Sequence, residues 1–304
     1  MASTVALVTD STASLPTELA ERFDVTVVPL HVIIGSKAYD EGVEGGVTTE
    51  LLSEALREWT PVSTSRPNPE EFGEVYRRLA DEGAEQIVSI HISGELSGTF
   101  ESAQLAAAKA PVPVTTIDTR QVGIGTGFAV LAAARARADG ADAEGIADAA
   151  RATAVATTSL FYVDTLEYLR RGGRVGAAAA LLGSALAVKP ILALENGRVG
   201  PRERVRTAAK ALARLEELAI ESADALVVGD APDGDVPDDL PERKVAVAVA
   251  HLSSPDRAAT LAEHLAARLG EHLDGELLTG EIGAVLGAHV GPGMVAVCVA
   301  PLGD

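Results

Sequence analysis

The sequence predicts an α/β protein of two domains: an N-terminal three-layer α/β/α domain with a mainly parallel sheet, and a C-terminal α/β domain with a mixed sheet. Three observations carry that prediction. Through the first half, short β-branched runs alternate with helical patterns, which is the signature of parallel βαβ units. In the second half Asn196-Gly197 sits between two strand-like runs, a strong hairpin signal that requires antiparallel pairing. The chain has 304 residues, 47% of them apolar, which is enough to bury two cores. The boundary is expected near residue 158, giving domains 1–158 and 159–304.

Taken in order, Val5 to Thr9 reads as a strand. Pro16 suits the first turn of a helix over Glu18 to Phe23, with Ser14 near its cap. Val25 to Ile34 is β-branched, one strand or two joined at Pro29, and a glycine-rich connector from Gly42 to Gly46 leads to a helix over Thr49 to Glu58. Asn68 and Glu71 have capping-box spacing with Pro69 between them, so a helix spans Pro69 to Glu82. Ile87 to Ile92 is a buried strand, a helix begins near Thr99, and Val114 to Asp118 is the next strand. Helices then cover Ile124 to Asp139 and Asp142 to Thr157.

Beyond the boundary, Asp164 and Glu167 are expected to cap a helix that stops at Gly172-Gly173. An apolar helix over Ala177 to Leu182 leads into the hairpin. A helix over Thr207 to Ser222, strands at Leu226 to Gly229 and Val245 to Ala250, a helix over Asp256 to Leu269 and a last strand at Met294 to Val299 complete the chain. Pro232 to Pro241 reads as a solvated acidic loop.

Composition excludes several functions. Lys and Arg total 25 against 44 Asp and Glu, a net charge of −19 that opposes nucleic acid and anionic membrane surfaces. The one cysteine, Cys298, cannot form an intrachain disulfide and reads as a core thiol in a reducing compartment. Neither a signal peptide nor a membrane span is evident, so a cytoplasmic protein is expected. Gly-x-Ser-x-Gly and the phosphate-binding Gly-Lys loop are missing, and Gly123-Ile-Gly-Thr-Gly127 lacks the dinucleotide spacing. No zinc or calcium spacing occurs, so no metal and no cofactor are expected.

Two stretches remain. His91 to Ala103 joins a buried strand to a helix through Ser93, Gly94, Ser97, Gly98 and Thr99. A turn of that kind, at the carboxyl end of a parallel strand, offers hydroxyls and backbone N–H groups to an anion. A capped turn without a ligand fits the same residues, and both readings stay open on this stretch alone. His289 stands among Gly283, Gly287, Gly291 and Gly293, a glycine-spaced loop suited to presenting a polar tip. His91 and His251, by contrast, fall at strand positions that suit a satisfied core role.

Together these segments resemble the DegV family. The matching residues are Asp10-Ser11 before Leu15-Pro16, Thr64-Ser65-x-Pro67, Ser93 with Leu96-Ser97-Gly98-Thr99, Asp118, and Leu166-Glu167-Tyr168-Leu169 with Gly172-Gly173-Arg174. They continue with Lys189-Pro190-Ile191, Arg206-Thr207, and Glu281-Ile282-Gly283 leading to His289 and Gly291-Pro292-Gly293. The series covers nearly the whole chain. It departs from the family pattern at Gly94-Glu95, Phe100 and Arg66. The resemblance implies one long-chain fatty acid in an apolar tunnel, its carboxylate held by Thr64 and Ser97 with help from His289. Ser65, Ser93, Gly98 and Thr99 would support the head-group loops. It further implies presentation of the carboxyl group to a separate ATP-binding fatty acid kinase subunit that forms acyl phosphate for phospholipid synthesis, with Arg174 and Arg206 docking that partner. On that view the chain itself is not an enzyme. Two alternatives stand beside it: a stand-alone phosphotransferase or hydrolase using Ser97 and His289 as nucleophile and base, and a lipid-sensing interaction protein.

Overall fold

A computed structural model describes residues 4–181, 189–228 and 244–302. Over residues 4–156 the elements are β1 (Val5–Asp10), α1 (Thr17–Arg22), β2 (Val25–Val28), β3 (His31–Ile34), β4 (Lys37–Asp40), α2 (Thr49–Arg57), β5 (Val62–Ser65), α3 (Pro69–Asp81), β6 (Gln86–His91), α4 (Thr99–Ala107), β7 (Val114–Asp118), α5 (Ile124–Ala138) and α6 (Ala143–Ala156). From residue 158 on they are β8 (Thr158–Tyr162), α7 (Glu167–Arg171), β9 (Lys189–Glu195), β10 (Arg198–Val205), α8 (Ala208–Val228), β11 (Ala246–His251), α9 (Pro255–Leu269), β12 (Leu278–Glu281), α10 (Ala284–Val290) and β13 (Val295–Ala300).

The first sheet is wholly parallel, in the order β2-β1-β6-β7. Leu7, Val88 and Ile90 face α5 and α6, while Val8 and Ile87 face Phe72 and Tyr76 of α3 and Ala103 of α4. These strands are apolar on both faces because helices cover both, which is the three-layer arrangement the sequence implies. The capping box forms as expected: Asn68 Oδ1 accepts from the N–H groups of Glu70 and Glu71, and Glu71 Oε2 accepts from Asn68 N–H. The second sheet is mixed, six-stranded, in the order β10-β9-β8-β13-β11-β12. Its β9–β10 hairpin turns at Asn196 and Gly197, both with positive φ (52° and 82°), as a type I′ turn demands. Cys298 is buried on β13, and burial pushes its thiol up to about 11.

Several expectations are corrected. Of the two readings of Val25 to Ile34 the two-strand one holds, broken at Pro29, but the strands lie in different sheets: β2 joins the parallel sheet, and β3 joins an antiparallel three-stranded sheet, β4-β3-β5, whose β4 had no signal in the sequence. β8 was also unmarked, yet it lies inside the second sheet. Leu226 and Val227 belong to α8 rather than to a strand. Ala211, Leu215, Leu218, Ala219 and Ala223 are buried at helical spacing, and Leu226 continues that stripe onto the same core, so the 3.6-residue period overrides the local β-branched pair. Thr165, not Asp164, accepts the Glu167 N–H at the start of α7, while Asp164 accepts from Tyr162 Oη and pairs with Lys189 and Arg257. Ala177 to Leu181 lies in a 3-10 helix; Leu182, Gly229 and the acidic stretch from Pro232 to Pro241 lie outside the described residues.

Candidate functional site: an apolar cavity with a polar end

A cavity of about 420 Å³ is walled by Leu30, Ile92 and Leu96 from the first half and by Phe161, Leu194 and Leu286 from the second. That size falls within the range of small-molecule sites, about 300–1,000 Å³. Most of the wall is aliphatic, because a chain with only 3% aromatic residues builds its core from small branched side chains.

Thr64, Ser97 and His289 all line this one cavity, brought together from three separate stretches. Thr64 sits on a strand, not a loop: β5 pairs with β3 at Val32↔Thr64, and the alternation turns Thr64 inward while Ser63 and Ser65 are exposed. Ser65 and Gly98 also contribute to the wall. His289 likewise sits on a helix, not in a loop. Gly283 precedes α10, which carries Val285, Leu286 and His289 into the wall, and Gly291 with φ 73° ends it. Thr64 Oγ1 and His289 Nε2 are 2.9 Å apart across 225 residues of sequence.

The polar groups form a chain around the end of the cavity. The His289 ring packs against Gly172, where a Cβ would collide with Nδ1. The Gly172 carbonyl accepts from Arg174 (2.6 Å), and Arg174 Nε donates to the Leu96 carbonyl (3.0 Å), one residue before Ser97. Arg66, two residues after Thr64, donates to the Gly98 carbonyl (2.9 Å) and pairs with Glu101. Arg174 is therefore part of the cavity wall and not only a surface cation. Arg206 is exposed beyond the end of β10, away from the wall.

The remaining loop residues serve the turn. Ser97 Oγ accepts from the Thr99 N–H (3.3 Å) and lies 2.8 Å from Thr99 Oγ1, and Thr99 is fully buried. Ser93, also fully buried, donates to the Gly197 carbonyl (2.8 Å), and its own carbonyl accepts from the N–H groups of Leu96 and Ser97. Neither Ser93 nor Thr99 reaches the cavity wall; both fix the turn that does. Ser97 bonds Thr99 and His289 bonds Thr64, and no hydrogen bond joins Ser97 to His289.

His289 is neutral at pH 7. Burial is the main cause, with the Arg174 charge adding to it, and together they lower its pKa from 6.5 to about 4. Its Nδ1 is buried with no hydrogen-bond partner. An unpaired buried N–H costs more than an unpaired acceptor, which assigns the proton to Nε2. Nε2–H then donates to Thr64 Oγ1, leaving the Thr64 O–H free to donate into the cavity. Ser97 and Thr64 thus offer neutral hydroxyls, while the guanidinium groups of Arg66 and Arg174, also in the wall, bond the carbonyls of Gly98, Leu96 and Gly172.

Sequence reasoning missed Arg174 as wall, and it missed Ser159 and Cys298, which also line the cavity. Nothing in the local sequence signals which face of a central strand will border a void. Among the described residues no group of three potential ligands could hold a metal ion, and no helix is long and apolar enough to cross a membrane.

Comparison with known proteins agrees over the whole chain. The model of the family described as "Uncharacterised protein, DegV family" matches residues 4–302. A DegV domain-containing protein of Streptomyces coelicolor is 50% identical over 299 residues, 98% of this chain and 99% of that one. Among solved structures, a DegV family protein from Thermus thermophilus described for its fatty acid binding superposes with a TM-score of 0.84 at 33% identity, covering 98% of this chain and 99% of that one. DegV of Bacillus subtilis, described as a fatty acid binding protein, gives 0.84 at 31%, covering the same shares.

Proposed function

This chain belongs to the DegV family, and we propose that it binds one long-chain fatty acid in the cavity walled by both halves of the chain, the carboxylate at Thr64, Ser97 and His289. The observation that carries the reading is the juxtaposition of an aliphatic cavity with neutral hydroxyl donors at one end. Each buried methylene contributes about 0.8 kcal/mol, so a tail of about sixteen carbons supplies roughly 10 kcal/mol before ordering costs. Affinity comes from the tail, and the head needs only to be oriented. We propose the division near residue 158 on the same grounds: Thr64 and Ser97 come from one side of it and His289 from the other.

Presentation to a separate ATP-binding kinase subunit in the cytoplasm extends the proposal. The carboxylate oxygen would attack the γ-phosphorus of ATP held by that partner, ADP leaving and acyl phosphate forming. Neutral donors favour this because they leave the oxygens less masked than a bidentate arginine would. Arg174 and Arg206 are the proposed docking residues. Mass spectrometry of lipid extracted from the purified protein tests the first step: a fatty acid at near one per chain supports it, and acylated Ser97 or no lipid overturns it. Phosphorylation of oleate that requires both this chain and an ATP-binding partner tests the second; turnover by either alone, or by neither, overturns it.

A further inference from the structure

Glu41 follows β4 in the first half of the chain and is 6% exposed, and its carboxyl group reaches across to the second half. The Val285 N–H donates to Glu41 Oε1 at 2.7 Å. The carboxyl group also lies flat against Gly283, where a Cβ would strike it. It therefore occupies the start of α10, a helix whose own N-cap, Gly283, has no side chain to satisfy the first N–H groups. On the other side, Glu41 N–H donates to the carbonyl of Leu30 (2.9 Å), itself a cavity-wall residue. One residue thus ties the Leu30 wall to the helix that carries Val285, Leu286 and His289.

We propose that Glu41 is a positioning residue: by capping α10 from the opposite half of the chain, it sets the distance from His289 to Thr64 and so the orientation of the acid head. The inference rests on the fatty-acid reading of the cavity. Its chemistry requires an acceptor and not a charge. Oε1 accepts the Val285 N–H, and burial raises the carboxyl pKa from its usual value while hydrogen bonds from Ser11 and Val285 oppose that shift. Glutamine preserves the acceptor and the length; aspartate keeps the charge but falls one methylene short of Val285.

The test is the rate at which radiolabelled oleate leaves the protein for an albumin acceptor, measured for wild type, E41Q, E41D, E41A, H289A and E41D/H289A. Retention of oleate by wild type is the control, and its failure would count against the fatty-acid reading rather than against Glu41. Given that retention, E41D and E41A should release oleate about tenfold faster, a factor that corresponds to about 1.4 kcal/mol. E41Q should stay within about twofold of wild type. Because Glu41 acts through His289, E41D/H289A should release no faster than H289A alone. Losses that multiply in the double variant, or an E41Q protein as leaky as E41D, would overturn the proposal. Should E41A and E41D fail to fold, release of oleate by E41Q about tenfold faster than by wild type would overturn the proposal.

Discussion

Two histidines, His91 and His289, occupy buried polar settings in this molecule, and their surroundings differ in one respect. His91, at the end of β6, is fully buried with both ring nitrogens partnered: Nδ1 lies 2.9 Å from Asp10 Oδ2 and Nε2 lies 2.7 Å from Ser89 Oγ. The chain runs on to Tyr76 Oη (2.8 Å), whose pKa burial raises to about 12, and Phe72 meets the ring edge-on. Asp10 also accepts from Thr12 and from the Ile92 N–H. Both ring nitrogens are taken up, and neither His91 nor Asp10 lines the cavity, although Thr12 and Ile92 beside them do. His289 has one partner, Thr64, an empty-handed Nδ1, and a cavity in front of it. A saturated polar cluster holds a fold together; one with spare donors beside a void is built for something that is not part of the chain.

That contrast can be broken in order of expected effect. D10A should be the most damaging, because it strips partners from His91, Thr12 and Ile92 in a fully buried cluster; a loss of about 3 kcal/mol in urea unfolding is expected. A loss under about 1 kcal/mol would mean the cluster is not structural. The pH dependence comes next. The folded-state pKa of His289 lies below its unfolded value, so between pH 6.5 and about 4 the unfolded chain binds a proton that the folded chain resists. Stability of the ligand-free protein should therefore fall as pH drops through that window, by about 3 kcal/mol at 1.36 kcal/mol per unit. H289Q should lack this component, so the difference between the two unfolding profiles isolates it; parallel profiles would refute the buried neutral imidazole.

T64A should reverse the D10A pattern, costing about 1 kcal/mol of stability while loosening fatty acid retention about tenfold. Equal retention in T64A and wild type would remove Thr64 from the site. The smallest effects belong to the arginines. R206A should leave oleate retention unchanged and lower only partner-dependent turnover. R174A should do the same with a modest loss of retention, since Arg174 also holds the Leu96 and Gly172 carbonyls.

Much of this was legible in the sequence where the deciding interactions are local. The Asn68 capping box and the Asn196-Gly197 turn were readable because each is set by backbone geometry within a few residues. Ser97 and His289 stood out from their glycine-spaced segments, whereas their shared role with Thr64 at a carboxylate came through the family resemblance. Leu226 misled because a β-branched neighbour suggests a strand, and only the stripe back to Ala211 reveals the helix.

By itself, then, the sequence determined the alternation of strands and helices, the parallel and mixed character of the two halves, and the residue types that could hold an acid. Tertiary structure alone decided that Thr64 meets His289, that Ser93 turns away to Gly197, that Arg174 belongs to the wall, and that Glu41 reaches α10. The physical reason is range. Propensity and capping act over a turn or two of chain, whereas which buried polar atoms find partners depends on elements more than 200 residues apart packing face to face.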